Sequence, residues 1–140
     1  MSYLLDTNII SEFANLVPNL SVQSWLQDHQ SQGLYLSVIT VGEIQQGITR
    51  LPLSKKRDRL FEWLQKSILG DYSEFILPID TDTMMQWGEL TGKLMQKGQK
   101  MSVMDSLIAA SALQHNLKLV TRNQSDFVNT GLTLVNPWQS

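Results

Sequence analysis

Cysteine is absent from the chain, which excludes a disulfide framework, a thiolate metal site and a cysteine nucleophile, and suits a reducing cytosol. Proline, with 4 residues, and glycine, with 8, are scarce, so there is no linker rich in them and no low-complexity segment. Only two histidines are present, His29 and His115, and they lack ligand-pair spacing, so any metal ligands must be oxygen donors. Excess positive charge is also missing. The 11 Lys and Arg against 13 Asp and Glu give a net charge of -2, and a nucleic acid would have to be met by local basic patches. No segment approaches the roughly 20 apolar residues of a membrane span. Tyr3-Leu4-Leu5 is cut short by Asp6, too soon for the apolar core of a signal peptide. A cytoplasmic protein with no membrane contact is expected.

What is present is the composition of a globular protein: 140 residues, 42% of them hydrophobic and 17% charged, enough for one domain over residues 1–140 with one sizeable core. Short apolar runs alternate with longer segments of helical period, the pattern of strand-helix-strand units and a parallel sheet in the α/β class. The expected strands are Ser2 to Leu5, Leu34 to Ile39, Phe75 to Ile79, Leu117 to Thr121 and Leu132 to Val135. The expected helices are Ile9 to Leu16, Ser21 to Gln32, Val41 to Thr49, Ser54 to Ser67, Thr83 to Lys97 and Val103 to Gln114. Pro18, Gly33, Pro52, Gly70, Pro78 and Asn116 punctuate this plan, and Asn136-Pro137-Trp138 closes the last strand.

Four acids fall at junctions of this map: Asp6, Glu43, Asp105 and Asp126. In an open parallel sheet the ligand site lies outside the carboxyl ends of the strands, so such residues converge in space. Asp105 joins them only if its helix starts at that edge. Helix capping accounts for each acid alone. Thr40-Val-Gly-Glu43 and Ser102-Val-Met-Asp105 read as capping boxes, Asn123-Gln-Ser-Asp126 repeats the pattern, and Asp6 can cap the helix holding Ile9 and Ile10. Capping does not explain the surroundings. Asp6 and Asp105 lie among apolar neighbours, and carboxylates gathered at the rim of a core repel one another unless they are protonated or share a cation. With oxygen donors only, that cation is Mg2+, with Mn2+ as the alternative.

A magnesium ion held by three or four carboxylates can activate water and neutralise charge in phosphodiester hydrolysis. On this reading Asp6 and Asp105 are the primary ligands. Glu43 is a ligand or a water-orienting base, and Asp126 is a ligand or supports one. Thr7 and Asn8 either orient a metal water or a phosphate, or cap the helix.

Taken in order, Leu4-Leu5-Asp6-Thr7-Asn8-Ile9-Ile10, Ser37-Val-Ile-Thr-Val-Gly-Glu43-Ile, Met104-Asp105-Ser-Leu-Ile-Ala-Ala110, Leu119-Val-Thr-Arg-Asn123 with Asp126-Phe127, and Asn136-Pro137-Trp138 resemble a PIN domain of the VapC toxin family, in its FitB-like branch. The resemblance spans nearly the whole chain. It implies a three-layer α/β/α sandwich around a mostly parallel sheet. It also implies a magnesium-dependent endoribonuclease of a type II toxin-antitoxin system, acting on RNA, inhibited by a cognate antitoxin, and assembled as a homodimer or a toxin-antitoxin hetero-oligomer. The family's first three acids match Asp6, Glu43 and Asp105. Many relatives have an acid where this chain has Asn123, so either Asp126 takes the fourth position or the site has three acids.

Basic residues cluster at Arg50, Lys55, Lys56, Arg57 and Arg59, and at Lys93, Lys97 and Lys100. These are either RNA-attracting patches or solvated helix faces paired with Asp58 and Glu62. Trp25, Trp63 and Trp87 carry apolar neighbours at helical spacing and read as core; the resemblance implies in addition that the helices between the second strand and Pro52, with Leu60-Phe61-Trp63-Leu64, form an exposed groove for a partner helix. Three other functions fit parts of the pattern. A phosphatase of the same fold class wants a second Asp two residues after the first, where Asn8 stands. A receiver-like signalling module wants Lys after the last strand, where Asn136 stands. A catalytically inactive RNA- or partner-binding module would keep the fold and lose the metal.

Overall fold

The computed structural model describes residues 2–139. Five strands form one sheet, β1 (Ser2–Leu5), β2 (Gly33–Ser37), β3 (Ile76–Leu77), β4 (Lys118–Val120) and β5 (Leu134–Val135), in the order β3-β2-β1-β4-β5 with every neighbouring pair parallel. Six α-helices connect them: α1 (Thr7–Phe13), α2 (Leu20–His29), α3 (Val38–Thr49), α4 (Lys55–Trp63), α5 (Thr81–Gln96) and α6 (Val103–Gln114).

Side-chain alternation on β1 assigns the layers. Tyr3 and Leu5 pack with Ile9, Ile10, Leu26, Ile44 and Leu64 on one face. Leu4 packs with Leu90, Leu94, Ile108 and Phe127 on the other. Helices therefore cover both sides, as a parallel sheet requires, and the fold is the expected three-layer sandwich.

Several boundaries depart from the sequence pattern for local reasons. The second strand stops at Ser37 rather than Ile39, because the Ser37 side chain accepts a hydrogen bond from Ile39 N at 3.0 Å and starts α3 there. Likewise α1 starts at Thr7, two residues early, because the Asp6 carboxylate accepts from Thr7 N at 2.8 Å. The expected strand Phe75 to Ile79 shrinks to two residues, since Ser73–Phe75 forms a 3-10 turn and Pro78 has no N–H to donate. Beyond Trp63 the expected helix widens into a π-helical turn, Leu64–Ile68, in which Leu69 N bonds to Leu64 O at 2.9 Å. The last two helices pack as a hairpin. Since α6 leads into parallel β4, its start stands at the carboxyl edge of the sheet, which brings Asp105 to the edge where Asp6 ends β1.

Candidate active site

Five chain segments meet above the carboxyl ends of β1 and β4. Asp6, Thr7, Asn8, Glu43, Asp105, Arg122, Asn123 and Trp138 line one cavity of about 460 Å³. Asp6 is its deepest acid, with 5% exposure, and its two oxygens are separately held. One accepts from Thr7 N as the α1 cap, and the other accepts from Thr121 Oγ1 at 2.7 Å and from Asn8 Nδ2 at 3.3 Å. Burial pushes the Asp6 carboxyl above its ordinary range. The hydrogen bonds from Thr121 and Thr7 pull it down, and the charges of Asp105 and Glu43 push it up again.

Glu43 stands in the second turn of α3, and the capping box expected from Thr40 to Glu43 does not form, because Ser37 is the cap. What fixes Glu43 is Thr7: its Oγ1 donates to Glu43 Oε1 at 2.5 Å and lies 3.1 Å from Thr40 Oγ1, on a residue that is fully buried. Asp105 sits in the first turn of α6, where its backbone N donates to Ser102 Oγ at 3.2 Å, the cap half of the expected capping box without the return bond from Ser102 N to the Asp105 carboxylate. Partial burial raises its carboxyl, Ser102 lowers it, and the charge of Asp126 raises it.

Asp126 is set apart from the other three acids. It is exposed on a 3-10 turn, Gln124–Thr130, and lines an adjoining hollow with Lys100, Ser102 and Asp105 rather than the Asp6 cavity. The capping pattern expected at Asn123 is not realised, since Asp126 N bonds to the Asn123 carbonyl and not its side chain. Asn123 itself borders the Asp6 cavity, and its N–H donates to Thr121 Oγ1 at 3.1 Å.

Among the described residues, no three acidic or histidine side chains stand close enough to enclose an ion by themselves. The donor set nevertheless suits a hard cation. The charges of Asp105 and Glu43 that raise the Asp6 carboxyl would be relieved by a divalent ion, and a hard cation accepts such oxygen donors together with water.

Sequence reasoning missed Thr121, Arg122 and Trp138. Thr121 follows Val120, which pairs in register with Leu5, so Thr121 and Asp6 emerge side by side. That signal becomes legible only once β1 and β4 are known to be neighbours. Next to the cavity, and sharing Thr7, Ser11, Asn15 and Glu43 with it, runs a larger groove of about 780 Å³. Its walls are Ile44, Ile48, Leu60 and Trp63, and Lys55, Lys56 and Arg59 lie along it. Trp25 packs against Tyr3 and His29 in the core region.

Comparison with known proteins agrees with this architecture. The model of the PIN domain family matches residues 3–131. Toxin FitB of Neisseria gonorrhoeae is 36% identical over 135 residues, covering 96% of this chain and 97% of that protein. VapC ribonuclease Y4jK of Sinorhizobium fredii is 33% identical over 136 residues, covering 97% of each. Among solved structures, FitAcB from Neisseria gonorrhoeae superposes with a TM-score of 0.91 at 36% identity, covering 99% of both chains. With the family model spanning most of its length and a sandwich that ends in an acidic cavity at the sheet's carboxyl edge, the chain belongs to the PIN domain family.

Proposed function

We propose that the protein is a metal-dependent endoribonuclease, the toxin of a type II toxin-antitoxin system, which hydrolyses RNA phosphodiester bonds with Mg2+ at the Asp6 cavity. The observation that carries this reading is Asp6 itself: a buried carboxylate, held by Thr121, Asn8 and the α1 cap, that shares its cavity with Glu43 and Asp105. Relatives named as a VapC ribonuclease and as toxin FitB point to the same chemistry.

A bound Mg2+, with Mn2+ as a substitute, supplies a water of lowered pKa and screens charge on the phosphate. Asp6 and Asp105 are the residues that would hold it. Glu43, with Oε1 fixed by Thr7, keeps its other oxygen for orienting water or completing the ligand set. Asn123 borders the cavity as an amide where many relatives carry an acid, and Asp126 acts from behind Asp105 by raising its proton affinity. Thr7 and Asn8 hold Glu43 and Asp6 in place rather than ligating.

The adjoining groove suits an antitoxin helix, with apolar side chains on Ile44, Ile48, Leu60 and Trp63 and acids near Lys55, Lys56 and Arg59. Because the groove opens on Glu43, a basic side chain of that helix would reach the acids and displace the metal. Assembly is proposed as a homodimer or as a toxin-antitoxin hetero-oligomer, acting on RNA in the cytoplasm. No helix among the described residues is long and apolar enough to cross a membrane.

The test is cleavage of pooled cellular RNA by antitoxin-free protein, with and without Mg2+, beside Asp6→Asn and Asp105→Asn. Magnesium-dependent cutting that both substitutions abolish supports the proposal. Wild-type protein that cuts at no magnesium level replaces it with a binding role.

A further inference from the structure

The cavity that gathers the acids has a single basic side chain among its lining residues, Arg122. Beside so many carboxylates an arginine would ordinarily pair with one, yet Arg122 makes no ion pair among the described residues. Its guanidinium lies instead over the Trp138 ring, 5.1 Å from the centroid. A cation–π contact of this kind holds the guanidinium beside the indole while leaving its N–H donors unspent.

The backbone beneath it is clamped from both sides. Arg122 N donates to Asn8 Oδ1 at 3.3 Å, and the Arg122 carbonyl accepts from Asn136 Nδ2 at 3.3 Å. Asn8 also donates to Asp6, so one amide side chain fixes the arginine relative to the buried acid. Asn136 in turn accepts from Trp138 N at 2.9 Å, which holds the indole against the cavity. An exposed cation this firmly placed, unpaired and at the mouth of an acidic site, is built to receive an anion. A polyanionic substrate also needs one positive group there to offset repulsion by the acids.

Resting on the ribonuclease reading, we propose that Arg122 binds a backbone phosphate of single-stranded RNA through its guanidinium fork, and that Trp138 and Asn136 are positioning residues that hold it at the cavity mouth. The contact is bidentate to two non-bridging oxygens, a geometry lysine does not reproduce.

The experiment measures anisotropy of a fluorescein-labelled single-stranded oligoribonucleotide in EDTA across a salt series. Steady-state cleavage in Mg2+ accompanies it for wild type, Arg122→Ala, Arg122→Lys and Trp138→Leu. For Arg122→Ala, affinity is expected to fall about tenfold and KM to rise in parallel with kcat little changed. The slope of log affinity against log salt should flatten by about 0.7, the value for one lost phosphate contact on a single strand. Arg122→Lys should keep the slope and recover only part of the affinity. Trp138→Leu should keep the slope and weaken binding less than Arg122→Ala. Should Arg122→Ala fail to fold, Arg122→Gln carries the same expectation. Equal affinity and slope in wild type and Arg122→Ala, with both still cutting RNA, overturns the inference and leaves the ribonuclease standing. Wild type that neither binds nor cuts RNA overturns both.

Discussion

Two aspartates cap two helices of this protein, and their carboxyl groups are displaced in opposite directions. Asp80 caps α5 on the surface. Its side chain accepts from Thr83 N at 2.9 Å, from the Thr83 hydroxyl at 2.8 Å and from Gln114 Nε2 at 3.2 Å. These bonds hold it below its ordinary value of 3.8, with nothing substantial opposing them. Asp6 caps α1 with comparable bonds, yet burial and two neighbouring acids outweigh them and drive it upward. The cap is common to both and does not distinguish them. A buried acid at a helix start that folding alone would favour neutral is a candidate for a functional role.

The largest effect that tests this contrast is on cleavage. Asp6→Asn, which preserves capping ability, is expected to lower RNA cleavage by at least about 100-fold, whereas Asp80→Asn leaves it within about twofold. Initial rates in Mg2+ check both. Next, Thr121→Val removes a hydroxyl that favours the charged form of Asp6. It should reduce cleavage about tenfold and move the acid limb of the pH-rate profile to higher pH.

Stability should respond with opposite signs. A raised carboxyl such as Asp6 destabilises the fold once pH rises above 3.8 and through its higher folded value. In EDTA at neutral pH, Asp6→Asn should therefore melt at higher temperature than wild type, and adding Mg2+ should raise the wild-type Tm while leaving the variant's unchanged. Asp80 contributes stability above 3.8 that is lost as pH falls through its lowered value. The smallest expected effect is that Asp80→Ala lowers Tm by a few degrees at pH 7, a gap that closes in acid when measured by calorimetry.

Much of this site is legible in the chain because its acids stand at junctions of period, where a short apolar run gives way to a helical one. Asp6 and Asp105 are found that way. Glu43 is found for a reason the structure replaces, since the chain alone does not reveal that Ser37 ends the strand two residues early and leaves Glu43 a turn inside the helix. Asp126 carries the same local pattern as the others, but the 3-10 turn faces it into a separate hollow. Thr121 and Arg122 are invisible locally because their partners, Asp6 and Asn8, lie 115 and 114 residues away. Strand order decides those contacts, and no short window of sequence contains it.

The sheet's two outer strands, β3 and β5, are each two residues long. An edge with so few free backbone groups gives an incoming chain almost no ladder to extend, which protects the molecule against strand-by-strand aggregation. The same brevity channels recognition elsewhere. Partners are met by side chains rather than by strand pairing, so specificity can drift by surface substitution without any change to the hydrogen-bonded frame beneath.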